Sequence, residues 1–407
     1  MACLCANVLF SQENLKLMFY NVLNYPLQEP ASRIQDLSVI ISDYLPDLFM
    51  ICELNNEEGA DNILNIMQSA NNNYQRAVFQ LNTSDDNIGN QNDLQNMIFY
   101  DSSKFILESQ HIVNTLYRDF NHYVIKLNTV NQDTNPIYLD VFVAHLKASS
   151  GEDNQNLRHE MVDDLVAYLE TLPNDRNIVF GGDLNLYTSS EPAFQELIDT
   201  SNNITFVDPA DRIGSWHNNL NYLDMFTQST RTQSGTGGST GGFDDRFDFI
   251  LTSENMLTNT DLYYVADSYQ VYGNNNNANC WNREINSTNC AGSDFNFTIR
   301  DALYNMSDHL PVTLELQTTE TLSVANVTYS HGIKFVGSNV VSEQLQLNLS
   351  TSNINSLTIY NLVGQQIQEL NVKNTTSLTI DVSRFASGIY YISASNKLNE
   401  PLKFVIQ

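Results

Sequence analysis

The stretch MSDHLPVTLEL, Met306 to Leu316, sets Asp308 beside His309 and then runs into an apolar segment opened by Leu310, Pro311 and Val312. Neighbours along a regular strand point to opposite faces, so Asp308 and His309 can serve one site only from the irregular leading end of that strand. Such loop ends are where chemistry tends to sit. Taken alone, Ser and Asp before Pro are ordinary turn formers, so the reading depends on whether other segments end the same way. They do. Asn21 in MFYNV, Glu53 in MICEL, His145 in FVAHL, Asp183 and Asn185 in FGGDLNL, and Asp248 in DDRFDFI each put an acid, His or Asn at the end of an apolar run. Ionisable groups placed there cost desolvation unless paired or bound to a cation, so the series predicts convergence on one pocket.

Between these motifs, segments of strand and helix character alternate. LKLMFYNV, DLFMICEL, QRAVFQL, NMIFYD, HYVIKLN, IYLDVFVAHL and NIVFGGDLNL read as strands. SRIQDLSVIISDYL and NILNIMQSA read as helices, as does the segment from about Gln155 to Leu172, where Leu157, Met161, Leu165 and Leu169 recur at four-residue spacing. The strands are too many and too close for a purely βαβ chain, and a mixed α/β sandwich is expected. TQSGTGGSTGGF, at 232–243, reads as a mobile loop beside the site, because a strand with charged residues at its start resumes at once.

The convergent set suits hydrolysis of a phosphate ester. Glu53 and Asp308 offer hard oxygen ligands for Mg²⁺, Mn²⁺ or Ca²⁺, and Asn21 can add a carbonyl oxygen or bind the phosphate. His309 can take a proton from water if Asp248 orients it. Asp183 can position the nucleophile, Asn185 can hold the phosphate, and His145 can donate a hydrogen bond to it or to the leaving group.

FYN, CEL, AHLKA, GGDLN, DDRFDFIL and SDHLPV also occur in the order seen in the endonuclease/exonuclease/phosphatase superfamily, the DNase I-like metal-dependent phosphodiesterases. The chain resembles that family over about residues 14 to 316. The resemblance implies a four-layered α/β sandwich with the site at one edge of two packed sheets. It implies Glu53 and Asp308 as metal ligands, Asn21 beside metal or phosphate, and Asp183 with Asn185 as the GDxN pair. His145 is implied as the phosphate-facing His, and Asp248 with His309 as the acid and base pair. Arg158, after HLKA, resembles an Arg common in exported bacterial members and is assigned to substrate binding. Where many members write QE, Cys52 precedes Glu53 here.

The charge balance, 47 acidic against 19 basic residues and a net of -28, disfavours tight sequence-independent DNA binding through many cationic contacts. It does not exclude an enzyme that meets phosphodiesters through bound cations. The expected activity is that of an extracellular nuclease on DNA or RNA, with small phosphodiesters as further substrates. The alternative is a phospholipid such as sphingomyelin, or a sugar phosphate, on the same scaffold. A non-catalytic binding module would normally have lost some of the set.

No apolar run reaches the ~18 residues of a membrane span. MACLCANVLFSQ resembles the tail of a secretory signal peptide, so residues 1–13 are expected to be leader, residues 14–318 the catalytic domain and residues 319–407 a small all-β sandwich. A bridge between Cys280 and Cys290 is the economical reading of an Asn-rich loop in an oxidising compartment, with two free thiols as the alternative; Cys52 is expected to be buried. From about Glu320 only short alternating segments remain, LQLNLS, SLTIYNL, SLTIDVS, GIYYISAS and PLKFVIQ. TIYNLVGQQIQELNV, FASGIYYISAS and KFVIQ resemble the C-terminal sorting domain of the type IX secretion system of Bacteroidota, although the usual Pro-Asn-Pro is absent. That implies a partner in the secretion machinery and a secreted or surface-exposed protein, expected to be a monomer.

Overall fold

Apolar side chains at every second position let the strands of the first part of the chain bury one face against a second sheet and the other against helices. The structure, a computed structural model, describes residues 14–82, 94–233, 237–323, 333–336, 339–349, 354–373, 375–394 and 401–407. The expected leader, with Cys3 and Cys5, lies outside the described residues. The chain forms two compact units, Met1–Val324 and Ala325–Gln407.

The first unit opens with β1 (Asn14–Tyr25), α1 (Arg33–Tyr44), β2 (Leu48–Leu54), α2 (Glu57–Ala70), β3 (Tyr74–Arg76) and β4 (Gln95–Asp101). It continues with β5 (Phe105–Val113), β6 (Phe120–Leu127), β7 (Tyr138–His145), α3 (Glu152–Leu169), β8 (Ile178–Asp183), α4 (Pro192–Leu197) and β9 (Phe206–Val207). It closes with β10 (Asp248–Ser253), β11 (Leu262–Tyr264), β12 (Gln270–Val271), α5 (Phe297–Met306) and β13 (Val312–Thr318). One sheet runs β11-β13-β1-β2-β4-β3, with β12 also on β13, and the other runs β5-β6-β7-β8-β10-β9.

The pleat sorts the side chains. Val141 and Val143 of β7, Val179 of β8 and Ile250 of β10 share one core with Phe19 and Met50 of the facing sheet. Their strand neighbours Phe142, Ala144, Ile178, Phe180, Phe249 and Leu251 share another with Met161, Val162 and Leu165 of α3 and Phe194 of α4. On the far side of the first sheet, Leu37 and Ile40 of α1, Ile63 of α2, and Leu303 of α5 complete the packing. The result is a four-layered α/β sandwich. Gly181 fixes how closely the sheets approach: a Cβ there would stand 2.8 Å from Met50 Sδ and 3.3 Å from Phe19 Cδ2.

Several elements differ from the reading by periodicity. α3 starts and ends three residues before the expected span, with Glu152 and Asp153 in its first turn, where acids favour the helix dipole. Of QRAVFQL only Gln75 and Arg76 lie in a strand; at Val78 the backbone N–H and C=O are satisfied by the Gln110 side chain instead of a ladder. β5 and α5 are elements beyond the expected set. β5 is an edge strand whose sides are mostly half-buried, which weakens the period of two.

In the second unit the strands are β14 (Ile333–Phe335), β15 (Val340–Val341), β16 (Gln344–Leu349), β17 (Ser356–Asn361), β18 (Gln366–Asn371), β19 (Ser377–Asp381), β20 (Gly388–Ala394) and β21 (Leu402–Ile406). They form sheets β14-β16-β19 and β15-β21-β20-β17-β18 around Leu345, Leu347, Leu357, Ile359, Ile392 and Phe404. The division falls after the expected residue 318 because the intervening segment stays with the first unit. Val130 N–H donates to Thr321 O at 2.9 Å, Ser323 N–H donates to Asn128 O at 2.7 Å, and Leu322 packs on the first core.

Candidate active site

The inner faces of β7, β8 and β10 turn polar together at one end. His145 is the register partner of Asp183, and Asp183 of Asp248, so the periodicity that buries Val143, Gly181 and Ile250 aims these three side chains into the same space between the sheets. Asn21 does the same for β1, two residues beyond Phe19. Glu53 does not follow the pleat, which would give it the face of Phe49 and Ile51. Its φ of +60° and the register shift between Ile51 and Leu54 turn it round. Leu23, Asn24 and Asn185 also have positive φ, at 47°, 46° and 51°. Each such residue costs about 1 kcal/mol or more, and their gathering around one cleft marks a site that the surrounding structure holds under strain.

Asn21 Nδ2 donates to Glu53 Oε1 at 2.9 Å and to Asp183 Oδ2 at 3.0 Å, while its Oδ1 accepts from Leu23 N at 2.9 Å. Asn21 therefore bridges two carboxylates through its amide nitrogen while its carbonyl oxygen accepts from the backbone. Glu53 Oε2 accepts from Asn24 N at 3.0 Å. His145 Nε2 lies 3.5 Å from Asp183 Oδ2 and 3.9 Å from Glu53 Oε1. His309 Nδ1 meets Asp248 Oδ2 at 2.7 Å, and its Nε2 meets the Gln228 amide nitrogen at 2.6 Å and stands 3.7 Å from Asp183 Oδ2.

Asp308 lies to one side. Its Oδ2 accepts from Ser239 N at 2.6 Å and from Gln228 Nε2 at 3.3 Å. Asn185 sits on the turn after β8, its N–H on Asp183 Oδ1 at 3.2 Å and its Nδ2 on Leu146 O at 3.3 Å. Arg158 departs from its expected role. Fully buried, it gives Nε and Nη2 to Glu191 Oε2 at 2.9 and 2.6 Å, and Nη1 to Lys147 O and Ser149 O at 2.8 and 2.9 Å. It braces the loop after His145 and spends four of its five N–H groups on the protein itself.

Electrostatics mark the cleft as short of positive charge. Burial, then the neighbouring Asp248 and Glu53, push Asp183 up to about 7, although His309 opposes them. Burial and Asp308 also raise Glu53. Burial alone would lower His309, but Asp248, Asp183 and Asp308 outweigh it and raise the imidazole well above its usual range. His145 moves the other way, lowered by burial and by Arg118, His309 and Lys147. Ligand atoms of Glu53, His145 and Asp183 lie within 4.8 Å of one another, as do those of Asp183, Asp248 and His309; Asp308 joins neither group. His145 Nδ1, Asp248 Oδ1 and Asp308 Oδ1 are buried without hydrogen-bond partners. Crowded carboxylates with orphaned oxygens fit a hard divalent cation.

Residues outside the expected set build the frame. Ser307 Oγ donates to Asn21 O at 2.7 Å and accepts from His309 N at 3.2 Å, tying Asp308 and His309 to β1. Arg231 and Arg33 place their guanidinium groups on the last carbonyls of α5: Arg231 on Tyr304 O at 2.8 Å and Asn305 O at 3.0 Å, Arg33 on Met306 O. Positive charge is favourable at a helix C-terminus, and this helix has no basic residue in its own last turn. Arg231 also holds Gly237 O at 3.1 Å, anchoring the Gly-rich loop whose Ser239 covers Asp308. Lys147 carries a signal in the sequence, as a cation two residues after His145 in a chain poor in cations, whereas Arg118 lies before β6, a strand with no motif residue.

Cys280 and Cys290 are joined, with Cα atoms 4.5 Å apart, and Cys52 is free and buried. The cystine loop braces the site from outside: Ile285 N donates to Thr230 O at 3.0 Å, and Thr230 N donates to Asp308 O at 3.0 Å.

Residues 339–407 match the secretion system C-terminal sorting domain, which marks the protein for type IX export to the cell surface or extracellular space. No curated protein matches the chain in sequence. Among solved structures, the human Nocturnin catalytic domain with bound sulfate is similar at 14% identity and a TM-score of 0.46, over 76% of this chain and 98% of that one. D. rerio TDP2 in complex with a single-strand DNA product is similar at 15% identity and a TM-score of 0.46, over 75% and 99%. A mannosyl-6-phosphatase of Bacteroides thetaiotaomicron is similar at 13% identity and a TM-score of 0.43, over 74% and 99%. Residues 18–268 match the Endonuclease/Exonuclease/phosphatase family, a stretch that holds Asn21, Glu53, His145, Asp183, Asn185 and Asp248 and stops before Asp308 and His309. With that match over more than half its length, the chain belongs to the Endonuclease/Exonuclease/phosphatase family and is a hydrolase of phosphate-ester bonds.

Proposed function

We propose that the protein is a divalent-cation-dependent phosphodiesterase that cleaves nucleic acid outside the cell. The observation that carries the reading is the His309–Asp248 contact of 2.7 Å beside Asp183, with the unpaired cations Arg118 and Lys147 on the opposite flank by His145. Arg118 is 7% exposed, gives Nη1 to Leu146 O at 3.1 Å and leaves Nε without a partner. Lys147 Nζ lies 5.5 Å from the Tyr117 ring centroid, and neither cation forms an ion pair among the described residues. Two cations brought together with no carboxylate in ion-pair contact suit an anionic substrate, although the field of Arg118 also reaches Glu53.

In this reading Glu53 and Asp183, with His145 beside them, hold the cation. When bound it neutralises phosphoryl oxygens and offsets the carboxylate field that keeps His309 protonated. Once water displaces the Gln228 amide from Nε2, His309 accepts the proton of the attacking water there, while Asp248 holds Nδ1–H and stabilises the imidazolium that forms. Asp183 orients the water. Asn185 and neutral His145 hydrogen-bond the phosphoryl oxygens as charge builds on them. Asp308, pinned by Ser239 and Gln228, fixes the start of β13 and adds negative charge for the cation.

The test is turnover of DNA, RNA and bis(p-nitrophenyl) phosphate with and without chelator. Cleavage that EDTA abolishes is expected, and inertness to all three with Mg²⁺, Mn²⁺ and Ca²⁺ would overturn the reading. A second reading, a zwitterionic substrate such as sphingomyelin, has one observation in its favour: an anionic flank next to His309. There burial and Asp245 push Asp244 up to about 6, and Asp245 meets His217 Nδ1 at 2.6 Å. Choline release from sphingomyelin liposomes, with DNA left intact, would favour it.

A further inference from the structure

On the outside of the second sheet, α3 and α4 lie side by side, and the seam between them opens into a crevice of about 470 Å³ lined by His159, Pro192, Gln195, Glu196, Ile198, Asp199 and Thr200. His159 and Asp163 are one turn apart on α3, with Nε2 and Oδ1 separated by 3.3 Å. Glu196, in the last residues of α4, brings a carboxylate oxygen within 4.8 Å of both. His159 and Glu196 are half-buried and Asp163 is exposed, so the group meets solvent and stands apart from the cleft.

We propose that His159, Asp163 and Glu196 form a second metal site, specific for a borderline divalent ion such as Zn²⁺ or Ni²⁺, that clips α4 to α3. Ligand atoms bound at roughly 2.0–2.2 Å must lie roughly 3–4 Å from one another; His159 and Asp163 already do, at 3.3 Å, and Glu196, within 4.8 Å of both, closes the set by a change of rotamer. Imidazole selects Zn²⁺ and Ni²⁺ over Mg²⁺, which prefers oxygen and retains its water. Three protein ligands leave the remaining positions to water from the crevice. The clip would reinforce a link the fold already makes between the same elements: Arg158, adjacent to His159, reaches Glu191, the residue before Pro192 of α4, and the loop following His145. This inference does not depend on the substrate, and His159 has no place in the proposed chemistry.

The test keeps the full chain in saturating Mg²⁺, so that the cleft is supplied, and titrates Zn²⁺ by calorimetry and thermal melting. The parent is expected to bind one more equivalent of Zn²⁺ than His159→Ala and to melt roughly 5 °C higher when the ion is in large excess over its Kd. His159→Ala should keep the parental Mg²⁺-supported activity. Asp163→Asn with Glu196→Gln gives an independent variant that spares the imidazole and should lose the same equivalent. Equal stoichiometry and equal melting shifts in the parent and both variants would overturn the site.

Discussion

At the residue scale, function turns on a few side chains whose charge the fold has made expensive. His309→Ala is expected to lower turnover by about two to four orders of magnitude with little change in substrate affinity, as for a lost general base. Glu53→Gln should instead raise the cation concentration needed for half-maximal rate. Steady-state kinetics against a cation titration separates the two, and equal small effects would count against both roles. Asp183 yields a pH prediction. With its carboxyl pushed up to about 7 in the folded chain from 3.8, the folded state retains a proton that the unfolded chain releases at lower pH. The stability this contributes is lost as pH rises through about 7. Raised Glu53 and His309 act in the same sense, whereas lowered His145 costs stability only as pH falls below the ordinary imidazole range. The chelated protein should therefore melt lower at about pH 8.5 than at about pH 6, and Asp183→Asn should flatten that fall.

At the element scale, the loop at 237–242 controls Asp308. Gly238 has a φ of +75°, and a Cβ there would stand 2.6 Å from Asp308 Cγ, whereas Gly241, at +125°, has nothing within 4 Å. Both substitutions to alanine strain the backbone, but only Gly238→Ala should displace Asp308, so it should lose much more activity than Gly241→Ala at similar melting temperature. Elements also show what a sequence can reveal. His145, Asp183 and Asp248 were legible because alternation carries them to the same sheet face at strand ends. Glu53 was legible as a candidate, but the left-handed backbone that brings it to that face was not, since alternation alone assigns it to the other. The recurrence of Ile299, Ala302, Leu303 and Met306 behind the Asn296 cap is the sequence signal for α5. Arg33 and Arg231 carry no local signal, because the carbonyls that accept their hydrogen bonds include those of remote segments, and Arg158 reads as substrate-binding by resemblance because its buried partner Glu191 lies 33 residues away.

At the scale of the whole molecule, a chain of net charge -28 carries a site for a phosphate ester. The field repels a polyanion over a Debye length of about 30 Å at about 0.01 M salt but only about 10 Å at about 0.1 M. If nucleic acid is the substrate, kcat/KM should rise over that range, the reverse of a basic nuclease, while hydrolysis of a small neutral or zwitterionic ester should barely change. A fall in kcat/KM on DNA with added salt would contradict this picture.

The cystine at Cys280 and Cys290 has a consequence for where the enzyme becomes fully competent. Before the chain leaves a reducing cytosol, its two thiols stay apart. The segment that steadies Thr230, and through it the backbone of Asp308, is then slack. Dithiothreitol-treated protein should accordingly hydrolyse its substrate more slowly than the oxidised form, and reoxidation should restore the rate. Such dormancy during biosynthesis would spare the phosphate esters of the producing cell's cytosol until the chain reaches an oxidising compartment.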